Sequence, residues 1–274
     1  MKQDSWRPSR RIERSFYEDL LATLRRYFAE HPVEGQGVGL LSASEWLDRY
    51  AWQAAQRMIT GLLVGHARTW RGAARESMQG QMIYRALQQE MRGPVGRRVR
   101  ELVKQNAELI RSLPLDVAQQ VTAQVNREYQ AGERFAAFEQ LVPHTIRWKA
   151  RLVARTETSK ASTALTQARA ENLGLGWYVW RTSEDARVRP AHRRMDGVLI
   201  SWNEPPAPER LIGEKNPPAP YQAGNIYNCR CYPEPLVNIR NIRWPHKVYS
   251  DGRIQTMTLA AFRQINSSQL QEAA

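Results

Sequence analysis

The sequence predicts an α+β protein, with a mostly helical N-terminal two-thirds followed by a small, loop-rich mixed domain of short antiparallel strands. Three features carry this reading. Apolar residues recur at intervals of three and four from Ile12 to about Leu173, the period shortens to two at Trp177, and prolines crowd the chain after Pro205.

The first stripe, Phe16, Leu20, Leu21, Leu24, Tyr27 and Phe28, marks one face of a surface helix. Pro32, Gly35, Gly37 and Gly39 should break it. Ser42 or Ser44 should cap a second helix through Trp46, Leu47, Tyr50, Ala51, Ala54 and Met58, because a hydroxyl accepts from an otherwise orphaned first-turn amide. That run is expected to continue through Met78, Met82, Ala86 and Leu87 with interruptions around Gly61, Gly65 and Gly72, until Gly93-Pro94 stops it. A third helix from Val99 to Ile110 should end before Pro114. A fourth, carrying Val117, Val121, Val125, Tyr129 and Phe135, should be closed by Pro143. The next, from Ile146 to Leu173, is rich in good helix formers and should end at Gly174 and Gly176.

Trp177 to Trp180 is aromatic and β-branched, as a strand is, and Val198 to Trp202 reads the same way. Prolines 205, 206, 208, 217, 218 and 220 should hold the following span extended over a surface. Tyr232 to Ile239 can add a last strand, which Pro233 and Pro235 restrict to an edge. A short apolar stretch, Met257 to Ile265, and a mobile end complete the tail. The expected division is a helical region 1–145, a mixed domain 146–245 and a tail 246–274.

Composition is that of a folded protein, with 42% hydrophobic and 24% charged residues. Forty Lys and Arg against 27 Asp and Glu give a formal charge of +13, which suits a phosphate polymer or an acidic protein partner. Two cysteines cannot form a disulfide framework, and a reducing compartment fits them. Neither a signal-peptide pattern nor an 18-residue apolar run occurs, so a soluble, untargeted protein without a membrane partner is expected.

From Ile146 to about Leu236 the sequence resembles the phage Mu F-like family of minor head proteins. Three segments carry the resemblance: RLVARTETSKA at 151–161, WRTSEDARVRPAHRRMDG at 180–197 and NCRC at 228–231. In order, the matching residues are Arg155, Thr156 and Glu157 on a helix, Trp180 on a strand, then Asp185, Arg187, Val188, Arg189 and His192 in a loop. Asp196-Gly197 at a turn and Asn228, Cys229, Arg230 and Cys231 complete the set. The resemblance implies virion biology, and the helical region 1–145 is expected to be the portal or capsid contact. It implies a place in the head near the portal, host cytoplasm during assembly, and the portal protein and the major capsid or scaffolding protein as partners. Non-specific contact with double-stranded DNA, or passage into the host with the genome as an internal DNA-binding protein, is the alternative it leaves open.

Asp185, His192, Cys229 and Cys231 together offer a carboxylate, an imidazole and two thiolates, a set that suits a structural zinc. The cysteines are only two apart, so both can face one ion only if the backbone turns suitably around Arg230. On the other reading the cysteines are small buried hydrophobes, His192 bonds a carbonyl, and Asp185 pairs with Arg187 or Arg189. Either way the two loops should converge and pin the ends of the proline-rich span. No enzyme is expected. Glu157 or Asp185 could orient a His–Cys pair, but no phosphate-binding glycine loop, H-E-x-x-H or G-x-S-x-G is present.

Arg147, Arg151 and Arg155 are spaced i, i+4, i+8 and share a helix face, and Arg187, Arg189, Arg193 and Arg194 continue the basic run. Such a density can neutralise phosphates without reading bases, or match an acidic portal or capsid surface. Of the nine tryptophans, Trp177 and Trp180 should face opposite sides of one strand.

Overall fold

The computed structural model describes residues 3–31, 45–75, 77, 80–131 and 138–272. The chain is α+β, mainly helical, with a five-stranded mixed sheet near its C-terminal end. It divides into two compact units. One comprises residues 9–62 and 99–158; the other comprises 1–8, 63–98 and 159–274. Three helices contribute residues to both: α2 (Glu45–Arg75), α4 (Pro94–Gln130) and α5 (Phe138–Asn172). Among the described residues no helix is long and apolar enough to cross a membrane.

The first unit is helical. Helix α1 (Arg10–Glu30) starts at Ser9, whose hydroxyl accepts from the Ile12 amide. It buries Ile12, Phe16, Leu20, Leu21, Leu24, Tyr27 and Phe28, the stripe expected from spacing. The expected breakers Pro32, Gly35, Gly37 and Gly39, the caps Ser42 and Ser44, and the apolar positions Met78 and Phe135 lie outside the described residues.

Three expected interruptions are absent. Helix α2 runs unbroken through Gly61, Gly65 and Gly72. At Gly61 a Cβ would lie 3.3 Å from the Ile12 side chain, so the glycine admits a close helix contact without ending the helix. Val99 to Gln130 is one helix with Pro114 inside it, and Pro143 lies inside α5. A proline within a helix costs about 3 kcal/mol. The stripe Ala107, Ile110, Leu113, Val117 and Val121, each no more than 1% exposed, supplies burial on both sides of Pro114 and outweighs that cost. Gly93-Pro94 does separate two helices, α3 (Gly80–Gln89) and α4, with a 3-10 turn before Gly93.

The second unit holds the sheet, in the order β3-β1-β2-β4-β5: β1 (Trp177–Arg181), β2 (Leu199–Ser201), β3 (Tyr232–Pro235), β4 (His246–Ser250) and β5 (Arg253–Met257). The proline-bearing β3 is an edge strand, as its missing donors require. Pairing is antiparallel except for β2 with β4, which is parallel at Leu199–Val248. Strands β4 and β5, with helix α7 (Leu259–Glu272), occupy the stretch expected as the C-terminal tail.

Alternation along β1 sends its tryptophans to opposite faces, and both are buried. Trp177 and Val179 pack with Leu199, Val248 and Phe262 of α7, and the Trp177 indole donates to Asn266. Tyr178 and Trp180 join Ile200, Trp202, Tyr232 and Tyr249 on the other face, with Trp6, Trp70 and Ile83.

Helix α5 ends at Gly174 (φ +67), where the Leu175 amide bonds the Ala170 carbonyl and the Gly174 amide bonds that of Glu171. Its last turns turn an unusual row of hydroxyls inward. Ser162 and Thr166 flank His66 at 2.9 and 3.4 Å, Thr163 donates to the Ala223 carbonyl, and burial with nearby Arg169 lowers the His66 pKa to about 3, so the ring is neutral.

Candidate functional site

The loop after β1 is built by its own charged residues. The Arg187 amide bonds the Asp185 carboxylate, and Arg193 donates to the Val188 and Ala186 carbonyls, closing residues 185–193 into a compact turn. Arg189 stacks on Tyr227 at 4.7 Å and donates to its carbonyl, joining this loop to the segment just before Asn228. Pro190 opens the short helix α6 (Pro190–Met195), where its fixed φ and missing N–H cost nothing. Ala191, His192 and Met195 face inward from it.

A turn at Asp196-Gly197 follows, with the Val198 amide bonded to the Met195 carbonyl and Gly197 at φ +79. The Asp196 carboxylate accepts from the Thr182 amide and the Gly197 amide bonds the Trp180 carbonyl, which locks α6 to the end of β1.

On the other side of the cluster Asn228 takes a left-handed conformation, φ +52, which asparagine tolerates better than most residues. The turn sends Cys229 and Cys231 to the same side of the chain despite their spacing. Both are buried, and the Cys231 amide points at the Cys229 sulfur, 3.4 Å away. His192 Nδ1 lies 3.6 Å from Cys229 Sγ and 3.3 Å from Cys231 Sγ. The three donor atoms are all within 4.8 Å of one another.

Asp185 does not join them. Its carboxylate forms an ion pair with Arg230, the residue between the two cysteines. Against the penalty of burial, the Arg187 amide and the Arg230 guanidinium hold that carboxyl below its ordinary range. Asp185 therefore clasps the two loops from outside the cluster.

Two residues that sequence reasoning did not single out complete the site. Tyr221 OH lies 2.8 Å from His192 Nε2 and donates to Glu209 at 2.7 Å, and Glu209 Oε1 is 3.3 Å from the same nitrogen. Both sit in the proline-rich span, which folds back as a wall: the Tyr221 amide bonds the Pro206 carbonyl, and Gln222 bridges the Trp202 carbonyl and the Tyr178 hydroxyl. The one sequence signal was for Tyr221, which stands where the proline run ends at Pro220.

The Tyr221 hydroxyl gives its single proton to Glu209, so Nε2 of His192 must carry the proton facing them, and Nδ1 turns its lone pair toward the sulfurs. The hydrogen bond from Cys231 holds the Cys229 thiol well below its usual range, whereas burial pushes the Cys231 thiol up. Burial, then Glu209, raises the Tyr221 pKa and keeps the phenol protonated.

This geometry is where the sequence meets known proteins. Residues 119–233 match the family described as Phage Mu protein F like protein, a span that includes α5, the Asp185–His192 loop and both cysteines. Over that stretch the chain is similar to the Mu F-like family. It is 32% identical over 144 residues to an uncharacterized protein of Haemophilus influenzae, covering 52% of this chain and 30% of that protein. It is 30% identical over 138 residues to the Minor head protein GP7 of Bacillus phage SPP1, covering 47% of this chain and 42% of the relative. The match thus spans less than half of either relative. No solved structure matches.

Within the Mu F-like segment the basic residues fall in two settings. In the helical unit Arg147 and Arg151 are exposed, Arg151 lies over the Tyr17 ring at 5.8 Å, and Arg155 is paired with Glu13 at 3.3 Å. Thr156 is buried and Glu157 half-buried there. In the sheet unit Arg189, Arg193 and Arg194 donate to backbone carbonyls, Arg194 to that of Leu211, while Arg187 stays largely exposed 3.9 Å from Asp185.

Proposed function

We propose that this chain is a minor head protein of a tailed phage or prophage that acts in procapsid and head assembly at or near the portal. The observation that carries the proposal is the family match over 119–233 combined with the likeness to a minor head protein. Its role is structural, and its partners are the portal protein and the major capsid or scaffolding protein. The helical region 1–145 supplies the contact, where Tyr50 and Trp52 on α2 are 41% and 44% exposed, residue types that anchor interfaces. Mass spectrometry of purified heads should find the chain in a few copies, and its deletion should lower the yield of infectious particles. Heads that never contain it, with normal infectivity after deletion, would overturn the reading.

A second reading, non-specific contact with packaged DNA, is favoured by exposed Arg147 and Arg151 one turn apart on α5. Arg155 already has Glu13 as a partner, so two phosphates are the expected footprint. Replacing Arg147, Arg151 and Arg155 together should weaken binding to unrelated duplexes equally and flatten the logarithmic salt slope by about two units, near 0.9 per phosphate. A slope that does not move assigns this face to a protein partner.

A further inference from the structure

We propose that His192 Nδ1, Cys229 Sγ and Cys231 Sγ are the three protein ligands of one thiophilic divalent cation of the zinc class. The proposal is independent of the assembly role. Tetrahedral zinc, with bonds of about 2.0 Å to nitrogen and about 2.3 Å to sulfur, sets nitrogen-to-sulfur edges of about 3.5 Å. The two observed edges are 3.6 and 3.3 Å, so an ion can enter without moving the ligands apart.

The tautomer is the one a metal needs. Glu209 and Tyr221 occupy the far nitrogen of His192 and fix the ring, the arrangement by which a carboxylate orients a metal-bound imidazole. The charge also balances. Two thiolates neutralise a dication, their two protons leave to solvent as the ion binds, and the imidazole stays neutral, so the buried pocket gains no net charge from the bound ion. Asp185 is not a ligand, because its carboxylate holds Arg230.

The ion would join α6 to the start of β3 and so brace the proline-rich wall between them. Asn228 accounts for the Cys-x-Cys spacing, since its left-handed turn aligns the two sulfurs.

The test begins with the full chain purified without chelator and analysed for metals. About one zinc per chain is expected, and cobalt substitution should give thiolate-to-metal charge-transfer absorption with tetrahedral d–d bands. Zinc should protect both cysteines from alkylation until a chelator is added. Cys229→Ser and Cys231→Ser should each lose the metal. Glu209→Gln should keep the stoichiometry at saturating zinc but weaken affinity by about 10- to 100-fold, the usual effect of losing an outer partner. Asp185→Asn should bind as the parent does. If a cysteine variant fails to fold, the cobalt spectrum and alkylation protection of the parent chain still decide the matter. Folded parent chain that holds no zinc and gives no thiolate–cobalt band would overturn the proposal. So would metal retained by a folded double cysteine variant, and loss of metal in Asp185→Asn would overturn the three-ligand set.

Discussion

Replacing Arg169 with methionine is expected to destabilise the sheet-bearing unit by about 3–5 kcal/mol, the cost of leaving a buried charge without its counterpart. Arg169 and Glu90 are 2% and 10% exposed, and the guanidinium meets the carboxylate with two parallel bonds of 2.7 and 2.8 Å. The same side chain also donates to the Leu63 carbonyl, so it ties α5 to the end of α3 and to α2 within this unit. Methionine keeps the length and the apolar stem but strands Glu90. Adding Glu90→Leu should recover most of the loss, because the pair as a whole is worth far less than either half alone. Chemical denaturation followed by tryptophan fluorescence reads both variants. A single variant within 1 kcal/mol of the parent, as a solvated pair gives, would show that water reaches Glu90.

Gly224→Ala is expected to lower stability by about 2–4 kcal/mol, adding left-handed backbone strain to overpacking. Gly224 has φ +87, and a Cβ there would lie 2.6 Å from Thr163 Oγ1 and 2.9 Å from the Cys231 carbonyl oxygen. Neither neighbour yields freely. Thr163 is held by its bond to the Ala223 carbonyl, and the Cys231 carbonyl belongs to the backbone that enters β3. The displacement therefore falls on the residue carrying one of the clustered sulfurs, and the cysteines should become more reactive to alkylation in this variant than in the parent. Gly213, also at positive φ but with open space around its Cβ position, is the control. Gly213→Ala should lose only the backbone contribution, about 1 kcal/mol. Equal effects at the two glycines would remove the packing argument.

Much of this architecture was legible because local signals agree with it. The buried face of α1, the strands β1 and β2 and the edge position of β3 follow from period and proline placement. Proline was over-weighted at Pro114 and Pro143, where non-local burial outweighs a lost hydrogen bond. Strands β4 and β5 were missed for a different reason. Strand β5 is an edge with hardly any burial, so no apolar alternation marks it, and β4 pairs in parallel with a strand nearly fifty residues earlier. A local signal for their hairpin did exist in Asp251-Gly252, both at positive φ as a two-residue turn requires.

At the site, residue chemistry pointed to His192, Cys229 and Cys231, but the role of Asp185 depended on where Arg230 lies, and Glu209 and Tyr221 are brought in by a span without periodicity. Such contacts become visible only when the chain is folded.

The sheet-bearing unit draws on residues 1–8, 63–98 and 159–274, and this has a kinetic consequence. Trp6 packs edge-on against Trp70 at 5.0 Å, in a cluster that also needs Trp180, Ile200 and Tyr249. During synthesis the earliest part of that cluster emerges long before the strands that cover it. At ribosomal rates of about 5–20 residues per second the gap lasts on the order of ten seconds or more, and the closures it demands span most of the chain. The unit therefore matures late, after its last strands have been made. Through that interval its exposed indoles are open to chaperones, and a chain halted before β4 would present unsatisfied apolar surface to any partner it met.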